Sequence, residues 1–115
     1  MFKYIASAIA LTGVLAAAAI SKPSVKIDGN IGEAATVEGV VDEVHVARNS
    51  GTIFLDMGGE YPNNTFTAVI WPEDASRFPN VSALSGQTVK VTGMLQLYRG
   101  KQEIILKEAS QLRTE

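Results

Sequence analysis

The chain contains no cysteine among its 115 residues. That absence excludes structural disulfides, thiolate metal ligands, cysteine nucleophiles and lipid attachment through an N-terminal cysteine. A domain without cysteine has no thiol that an oxidising compartment could convert into a disulfide. The length fits one domain, and a hydrophobic content of 46% is sufficient for a real core.

Positive charge is scarce. The chain has 10 lysines and arginines against 12 aspartates and glutamates, which gives a formal net charge of −2 at pH 7. Most nucleic-acid-binding domains carry a basic footprint. The charge balance therefore disfavours tight, non-specific binding of phosphates, unless the few positive side chains cluster.

Motifs for catalysis are also missing. The sequence has no nucleophile elbow, phosphate loop, zinc-binding helix or paired-carboxylate motif. The single histidine, His45, lies near Asp42 and Glu43, but these side chains do not converge on one point of a strand, so no metal site is expected. We predict that the protein is not an enzyme and has no cofactor or metal.

The first 21 residues differ in composition from the rest. Lys3 supplies a short positive start, and residues 4–20 are apolar and uncharged. This pattern is typical of a secretory signal peptide, here predicted over residues 1–21, with cleavage after Ala19 or after Ser21. The alternative is an uncleaved membrane anchor. Cleavage would leave a periplasmic or secreted bacterial protein with no stable membrane association.

Residues 22–33 are polar and contain two glycines, so they are predicted to form a flexible N-terminal arm. The domain proper is predicted over residues 34–115. Alternating apolar and polar residues predict five strands, over residues 36–47, 52–57, 65–71, 88–98 and 102–107. A short helix is predicted to begin at Pro72, because proline is tolerated in the first turn, and residues 108–115 are predicted to be a polar tail.

The long first and fourth strands carry signs of irregularity. The valines of the first strand change from odd to even positions near Asp42, which predicts a β-bulge. Gly39 and Gly93 lie within these strands and predict bends around barrel corners. Arg99-Gly100 predicts a tight hairpin turn. Four apolar residues of the fourth strand are predicted to share the core face: Val89, Val91, Leu95 and Leu97.

Five strands with a helical connection between the third and the fourth follow the order of a five-stranded Greek-key barrel, the OB-fold. Three runs, GTIFLDMG, FTAVIW and TVKVTGMLQLYRGKQEIIL, occur in that order. Together they resemble the small OB-fold domains of bacterial exported proteins related to nucleic-acid-binding modules. The resemblance covers nearly all of residues 34–115 and implies an all-β barrel with a short helix between strands 3 and 4, preceded by the signal peptide.

An OB-fold binds its ligand across strands 2 and 3, between the loop that joins strands 1 and 2 and the loop that joins strands 4 and 5. Aromatic, cationic and polar side chains at these places are the predicted nucleic-acid-binding residues: Arg48, Phe54, Thr67, Trp71, Tyr98, Arg99 and Lys101. Stacking of a base on an aromatic ring is worth about 1 to 3 kcal/mol. Asp56 lies in the middle of this face and would repel phosphate.

Two functions remain open on the sequence. The first is weak binding of single-stranded nucleic acid, DNA in particular, through the strand 2 and 3 face and its two loops. The second is a periplasmic module that binds a small ligand or a protein segment and has no role with nucleic acid. The acidic balance and Asp56 motivate the second.

Overall fold

The computed structural model describes residues 25–115. Within them the chain is mostly β-sheet, with little helix. The eight strands are β1 (Lys26–Asp28), β2 (Ala34–Val46), β3 (Ile53–Met57), β4 (Phe66–Ile70), β5 (Thr88–Met94), β6 (Gln96–Tyr98), β7 (Lys101–Ile105) and β8 (Leu112–Thr114). Three short 3-10 helices span Pro72–Arg77, Val81–Leu84 and Ala109–Gln111. The predicted signal peptide over residues 1–21 lies outside the described residues.

The strands form one sheet in the order β6-β7-β4-β3-β2-β5-β8, and β1 pairs with β2 beside this path. Neighbouring strands are antiparallel except β4 and β7, which are parallel. The prediction of a closed five-stranded barrel was therefore wrong in strand number and in closure, because the hydrogen-bonded path of the described strands ends at β6 and β8. The all-β class is confirmed.

Strand β2 changes its partner halfway along. Residues 34–40 pair with β5, and residues 41–46 pair with β3. The register shifts between Val41 and Glu43, which confirms the bulge predicted near Asp42. A bulge bends a strand and increases its twist. Strand β2 can therefore serve both parts of the sheet.

The predicted fourth strand is interrupted at Leu95, which separates β5 from β6. Backbone hydrogen bonds from Leu95 N to Glu33 O (3.0 Å) and from Gly32 N to Leu95 O (2.7 Å) hold this residue against the chain that precedes β2. Leu95 is 1% exposed, whereas Leu97 is 56% exposed. The prediction that Leu97 shares the core face was wrong, because the break at Leu95 changes the alternation of faces.

The core lies on the inner side of this sheet. Its fully buried side chains come mainly from alternate positions of the strands, as the sequence predicted: Val37, Val41, Leu55, Met57, Phe66, Ala68, Ile70, Val89, Val91, Ile104 and Leu106. The second of the two 3-10 helices between β4 and β5 adds Val81 and Leu84. The helix predicted from Pro72 is present as a 3-10 helix.

Both ends of the described chain are more ordered than predicted. Residues 26–28, part of the predicted arm, form β1 against β2, and Ile27 packs on the core. The predicted polar tail forms a 3-10 helix and then β8, which pairs with β5. None of the helices in residues 25–115 has the length and apolar character needed to cross a bilayer.

Candidate functional site

A two-residue turn joins β6 to β7. Tyr98 pairs with Lys101 across it, and both turn residues have positive φ, 52° for Arg99 and 80° for Gly100. Two positive φ values give the twist that best matches a tight hairpin, and glycine adopts them at no steric cost. The predicted turn is confirmed, and it carries Arg99 beside the ring of Tyr98, with 5.2 Å from guanidinium carbon to ring centroid.

This hairpin borders a cleft of about 570 Å³ on the face of β2, β3, β4 and β7 that points away from the core. The volume falls within the range of ordinary ligand pockets. Aromatic, acidic and basic side chains share its wall: Glu43, His45, Phe54, Asp56, Tyr61, Pro62, Thr67, Val69, Tyr98, Arg99, Lys101 and Glu103. We call this feature the outer cleft.

A row of polar residues crosses the floor of the outer cleft. Glu43 pairs with Asp56, Asp56 pairs with Thr67, and Thr67 pairs with Glu103, each on the neighbouring strand. Directly opposite residues of antiparallel strands have their Cβ atoms about 4.5 to 5.5 Å apart, and the parallel strands β4 and β7 are separated by the usual spacing of about 4.8 Å. The register thus aligns three carboxyl groups with one hydroxyl among them, a set we call the acidic row.

Asp56 is the most enclosed member of the acidic row, with 3% of its surface exposed. Its Oδ1 accepts hydrogen bonds from Thr67 Oγ1 (3.3 Å) and Asn64 Nδ2 (3.2 Å). Burial raises the pKa of the Asp56 carboxyl, because a charge in a poorly solvated place is costly. The hydrogen bond from Thr67 opposes this effect, and the neighbouring charge of Glu43 adds to it.

Glu103 lies at the other end of the row and is 8% exposed. Burial raises the pKa of this carboxyl too, and a hydrogen bond with Gln96 works in the opposite direction. Neither Asp56 nor Glu103 forms an ion pair within residues 25–115. The floor of the cleft therefore holds two enclosed carboxyl groups without a positive partner in contact.

The two cations of the cleft make their contacts with groups other than its carboxylates. Lys101 Nζ donates to the backbone oxygens of Pro62 (2.7 Å) and Asn64 (3.1 Å). The ammonium group thus fixes the loop between β3 and β4. Arg99 is exposed and lies against Tyr98. Formal charge in the cleft, with His45 neutral, is three negative against two positive.

Aromatic rings form the sides of the cleft. Phe54 is half-buried and stacks on His45, with ring centroids 6.1 Å apart and an interplanar angle of 23°. Tyr61 and Tyr98 are both exposed. Because the three aromatic side chains come from β3, the β3 to β4 loop and β6, they frame the acidic row from different elements.

The structure brings five of the seven predicted site residues together in this cleft: Phe54, Thr67, Tyr98, Arg99 and Lys101. Arg48 and Trp71 do not line it. Arg48 lies in the turn beyond the end of β2, and Trp71 follows the end of β4, where it leads into a 3-10 helix. The two residues lie past the strand ends, whereas the cleft lies over the strand centres.

Sequence reasoning missed Tyr61, Pro62 and Glu103 as lining residues. Glu103 could have been found from its parity, since it alternates with the core residue Ile104. Its place beside Thr67 depends on the parallel pairing of β4 with β7, which has no local signal. No set of three histidine, aspartate or glutamate side chains in residues 25–115 is placed to hold a metal ion.

The chain was compared with protein-family models, with characterised proteins and with solved structures, and none of the three comparisons found a significant match. The interpretation of the outer cleft therefore rests on its own geometry.

Proposed function

We propose that this protein is an exported, non-enzymatic binding module of the OB-fold type whose outer cleft holds a small ligand or a segment of another protein. The observation that carries the proposal is the outer cleft itself, a concavity of about 570 Å³ that combines aromatic walls with enclosed polar groups. Binding sites are usually concavities of this size, in which apolar surface supplies affinity and a few polar groups supply specificity.

The strand connectivity supports an OB-type arrangement. Strands β2, β3 and β4 form an antiparallel meander, and β7 adds in parallel to β4. The segment from Thr88 to Tyr98 pairs with β2 through β5 and with β7 through β6. Only Leu95 separates these two parts, so one segment joins both regions of the sheet without a continuous ladder of hydrogen bonds. The position of the outer cleft on β3 and β4 supports this proposal, because OB-folds bind ligands on the corresponding strands.

The charges of the cleft favour a ligand that is not a polyanion. Three carboxyl side chains face two cations, and the ammonium group of Lys101 already binds two backbone oxygens. A phosphate chain crossing the floor would approach Asp56 and Glu103, and like charges repel most strongly where water is scarce. The small-ligand or protein-segment function is thus favoured over nucleic acid.

Weak binding of single-stranded nucleic acid is the second candidate, and the hairpin turn supports it. Tyr98 and Arg99 are exposed beside each other, and such a pair offers a stacking surface with a positive charge. A strand bound along this rim would contact Tyr98, Arg99 and Tyr61 and avoid the acidic row. Stacking and local cations are the usual means of binding single strands.

The test is a set of NMR titrations of the isotopically labelled full chain with a thymidine oligonucleotide, a neutral oligosaccharide and a small amine. We expect at least one class to shift the amide signals of cleft residues and to bind at least tenfold more weakly to Phe54→Ala. Trp71→Phe, outside the cleft, is the matched control and is expected to bind as the parent does. Binding that Phe54→Ala leaves unchanged would overturn the proposal.

Nucleic acid is distinguished by its salt dependence. Each phosphate contact to a single strand contributes a slope of about −0.7 to the plot of log affinity against log salt concentration. Oligonucleotide binding with such a slope, weakened by Arg99→Ala, would favour the second candidate. If no salt-dependent oligonucleotide binding is detected at high micromolar protein, the second candidate is excluded.

A further inference from the structure

The floor of the outer cleft offers more hydrogen-bond acceptors than donors. Both hydrogen bonds accepted by Asp56 end on Oδ1, and no group in residues 25–115 donates to its Oδ2. Asn64 Oδ1 also has no donor within residues 25–115, but it is enclosed and Asn64 does not line the cleft, so this atom is out of reach of a ligand there. Each carboxylate oxygen can accept hydrogen bonds, so Asp56 Oδ2 is the acceptor on the floor that is left for a ligand.

No cation in residues 25–115 is in direct contact with the carboxyl groups of the floor, and the charge of Lys101 opposes the rise of the Asp56 pKa only from a distance. Asp56 and Glu103 are almost fully enclosed, and among the described residues no lysine, arginine or histidine nitrogen lies within salt-bridge distance of either carboxyl group. Buried carboxylates without a partner are costly to a fold. The raised pKa values of these two groups reflect that cost.

The aromatic walls of the outer cleft also favour a positively charged ligand. Phe54, Tyr61 and Tyr98 present aromatic surface to the cleft, and the negative face of an aromatic ring attracts a cation within about 6 Å. The guanidinium of Arg99 already lies 5.2 Å from the Tyr98 centroid. This contact between Arg99 and Tyr98 is of the same kind as the contact expected between a bound cation and an aromatic ring of the cleft.

We propose that the outer cleft binds an organic cation that carries several N–H donors, an ammonium or a guanidinium group, between the carboxyl groups of Asp56 and Glu103. This inference rests on the proposed function and names the chemical class of its ligand. Guanidinium and ammonium groups have donors and no acceptors, which matches the two carboxyl groups and the free Oδ2 of Asp56 on the floor. Charge-assisted hydrogen bonds to carboxylates are about twice as strong as neutral ones.

The test compares two probes of nearly the same shape, N-butylguanidinium and its neutral counterpart N-butylurea, by calorimetric titration of the full chain at neutral pH and low salt. We expect the guanidinium to bind at least tenfold more tightly than the urea. Asp56→Asn and Glu103→Gln are each expected to weaken guanidinium binding at least tenfold. Glu73→Gln, an exposed acidic residue outside the cleft, is the matched control and is expected to change nothing.

A second arm distinguishes the sources of such a group. Free agmatine and spermidine represent small metabolite-like amines, and a short blocked peptide centred on arginine represents a protein segment. A free amine that binds more tightly than the peptide indicates a small-molecule ligand. The reverse order indicates a side chain of a partner protein, and either order supports the cation site.

Other outcomes separate this inference from the proposed function. Equal binding of guanidinium and urea, or guanidinium binding that survives in folded Asp56→Asn, would overturn the cation site. If any ligand then still loses affinity in Phe54→Ala, the proposed function stands alone. If Asp56→Asn fails to give a parent-like circular dichroism spectrum, Glu103→Gln carries the decision. Absence of binding by every probe class would overturn both proposals.

Discussion

Asp56 combines a proposed role in ligand binding with an unfavourable environment for its charge. It lies near the end of β3, is almost fully enclosed, and accepts hydrogen bonds from Thr67 and Asn64 on its Oδ1. A hydrophobic or neutral residue would destabilise the fold less at such a position. The free energy that an enclosed carboxylate loses with its hydration is only partly offset by two neutral hydrogen bonds. That cost is expected to appear as a pH dependence of stability.

The sign follows from the raised pKa of Asp56. A carboxyl group whose pKa is higher in the folded than in the unfolded state binds more protons when folded, so stability is lost as pH rises from the unfolded value, near 4, through the folded pKa. Asp56→Asn removes this loss. We therefore expect the stability of the variant, relative to that of the parent, to rise as the pH increases from 3 to 7.

Urea unfolding at several pH values measures this gain. The double variant Asp56→Asn with Glu103→Gln is expected to show a larger one, because burial raises the pKa of Glu103 as well. A parent and a variant with parallel pH profiles would contradict the prediction.

Gly93 illustrates a residue fixed by the approach of its neighbours. A Cβ atom at this position would lie 2.6 Å from Ile104 Cγ2 and 2.8 Å from Gln111 Nε2, and φ is +154°. We expect Gly93→Ala to lower the free energy of unfolding by about 2 kcal/mol or more, through overpacking added to backbone strain. Gly86→Ala is the control, since φ is +86° there and no atom lies within 4 Å. Equal losses in the two variants would show that packing at Gly93 is unimportant.

At the scale of elements, Gln111 joins three pieces of the chain that sequence patterns leave separate. Its Oε1 accepts from Lys107 N (2.7 Å) and Glu108 N (2.9 Å), and its Nε2 donates to Thr92 O (3.0 Å) and Ile105 O (3.2 Å). One side chain thus ties the last 3-10 helix to β5 and to the end of β7. Strand β8 follows directly, and we expect its pairing with β5 to depend on that anchor.

Gln111→Ala is expected to lower the free energy of unfolding by about 1 to 2 kcal/mol, because four hydrogen bonds are lost. Water can reach part of the freed backbone groups and limits the loss to this range. Hydrogen exchange is expected to accelerate most in β8. Gln111→Glu keeps the acceptor and loses the donor, so it separates the two halves of the contact. Ser110→Ala, exposed next to it, is the control. Unchanged exchange in β8 would contradict the anchoring role.

Lys101 joins the start of β7 to the loop that precedes β4. Lys101→Met keeps most of the side-chain volume and removes both hydrogen bonds to Pro62 O and Asn64 O. We expect faster amide exchange at residues 61–64, with little effect elsewhere. Lys107→Met, an exposed lysine beyond the end of β7, serves as the control. Unaltered exchange in that loop would show that Lys101 has no structural role there.

For the whole molecule, the proposed export depends on residues 1–21, which lie outside the described sheet. Expression of the full chain in a bacterium is expected to deliver it to the periplasmic fraction, with a mass that corresponds to a chain beginning at Ile20 or Lys22. Replacing Leu11 and Leu15 by aspartate interrupts the apolar run and is expected to retain the protein unprocessed in the cytoplasm. A processed periplasmic product from this variant would contradict the signal-peptide proposal.

Local patterns were sufficient for the parts of the fold that depend on alternation and turn chemistry. The core positions of β3 and β4, the bulge near Asp42 and the turn at Arg99-Gly100 were all predicted and confirmed. Each has a cause within a few residues, namely period-two burial or positive φ at glycine. The break at Leu95, the strand β8 and the anchor Gln111 were not predicted, because each depends on a distant segment.

For the candidate site the same division holds. Strand parity alone puts Phe54 and Thr67 on the outward face, and the turn residues alone put Tyr98 and Arg99 at its rim. The positions of Glu103 beside Thr67, of Lys101 against backbone oxygens, and of Arg48 and Trp71 outside the cleft follow from the pairing of distant strands. The physical reason is that parallel pairing of β4 with β7 joins residues more than thirty positions apart, and no local preference encodes such a register.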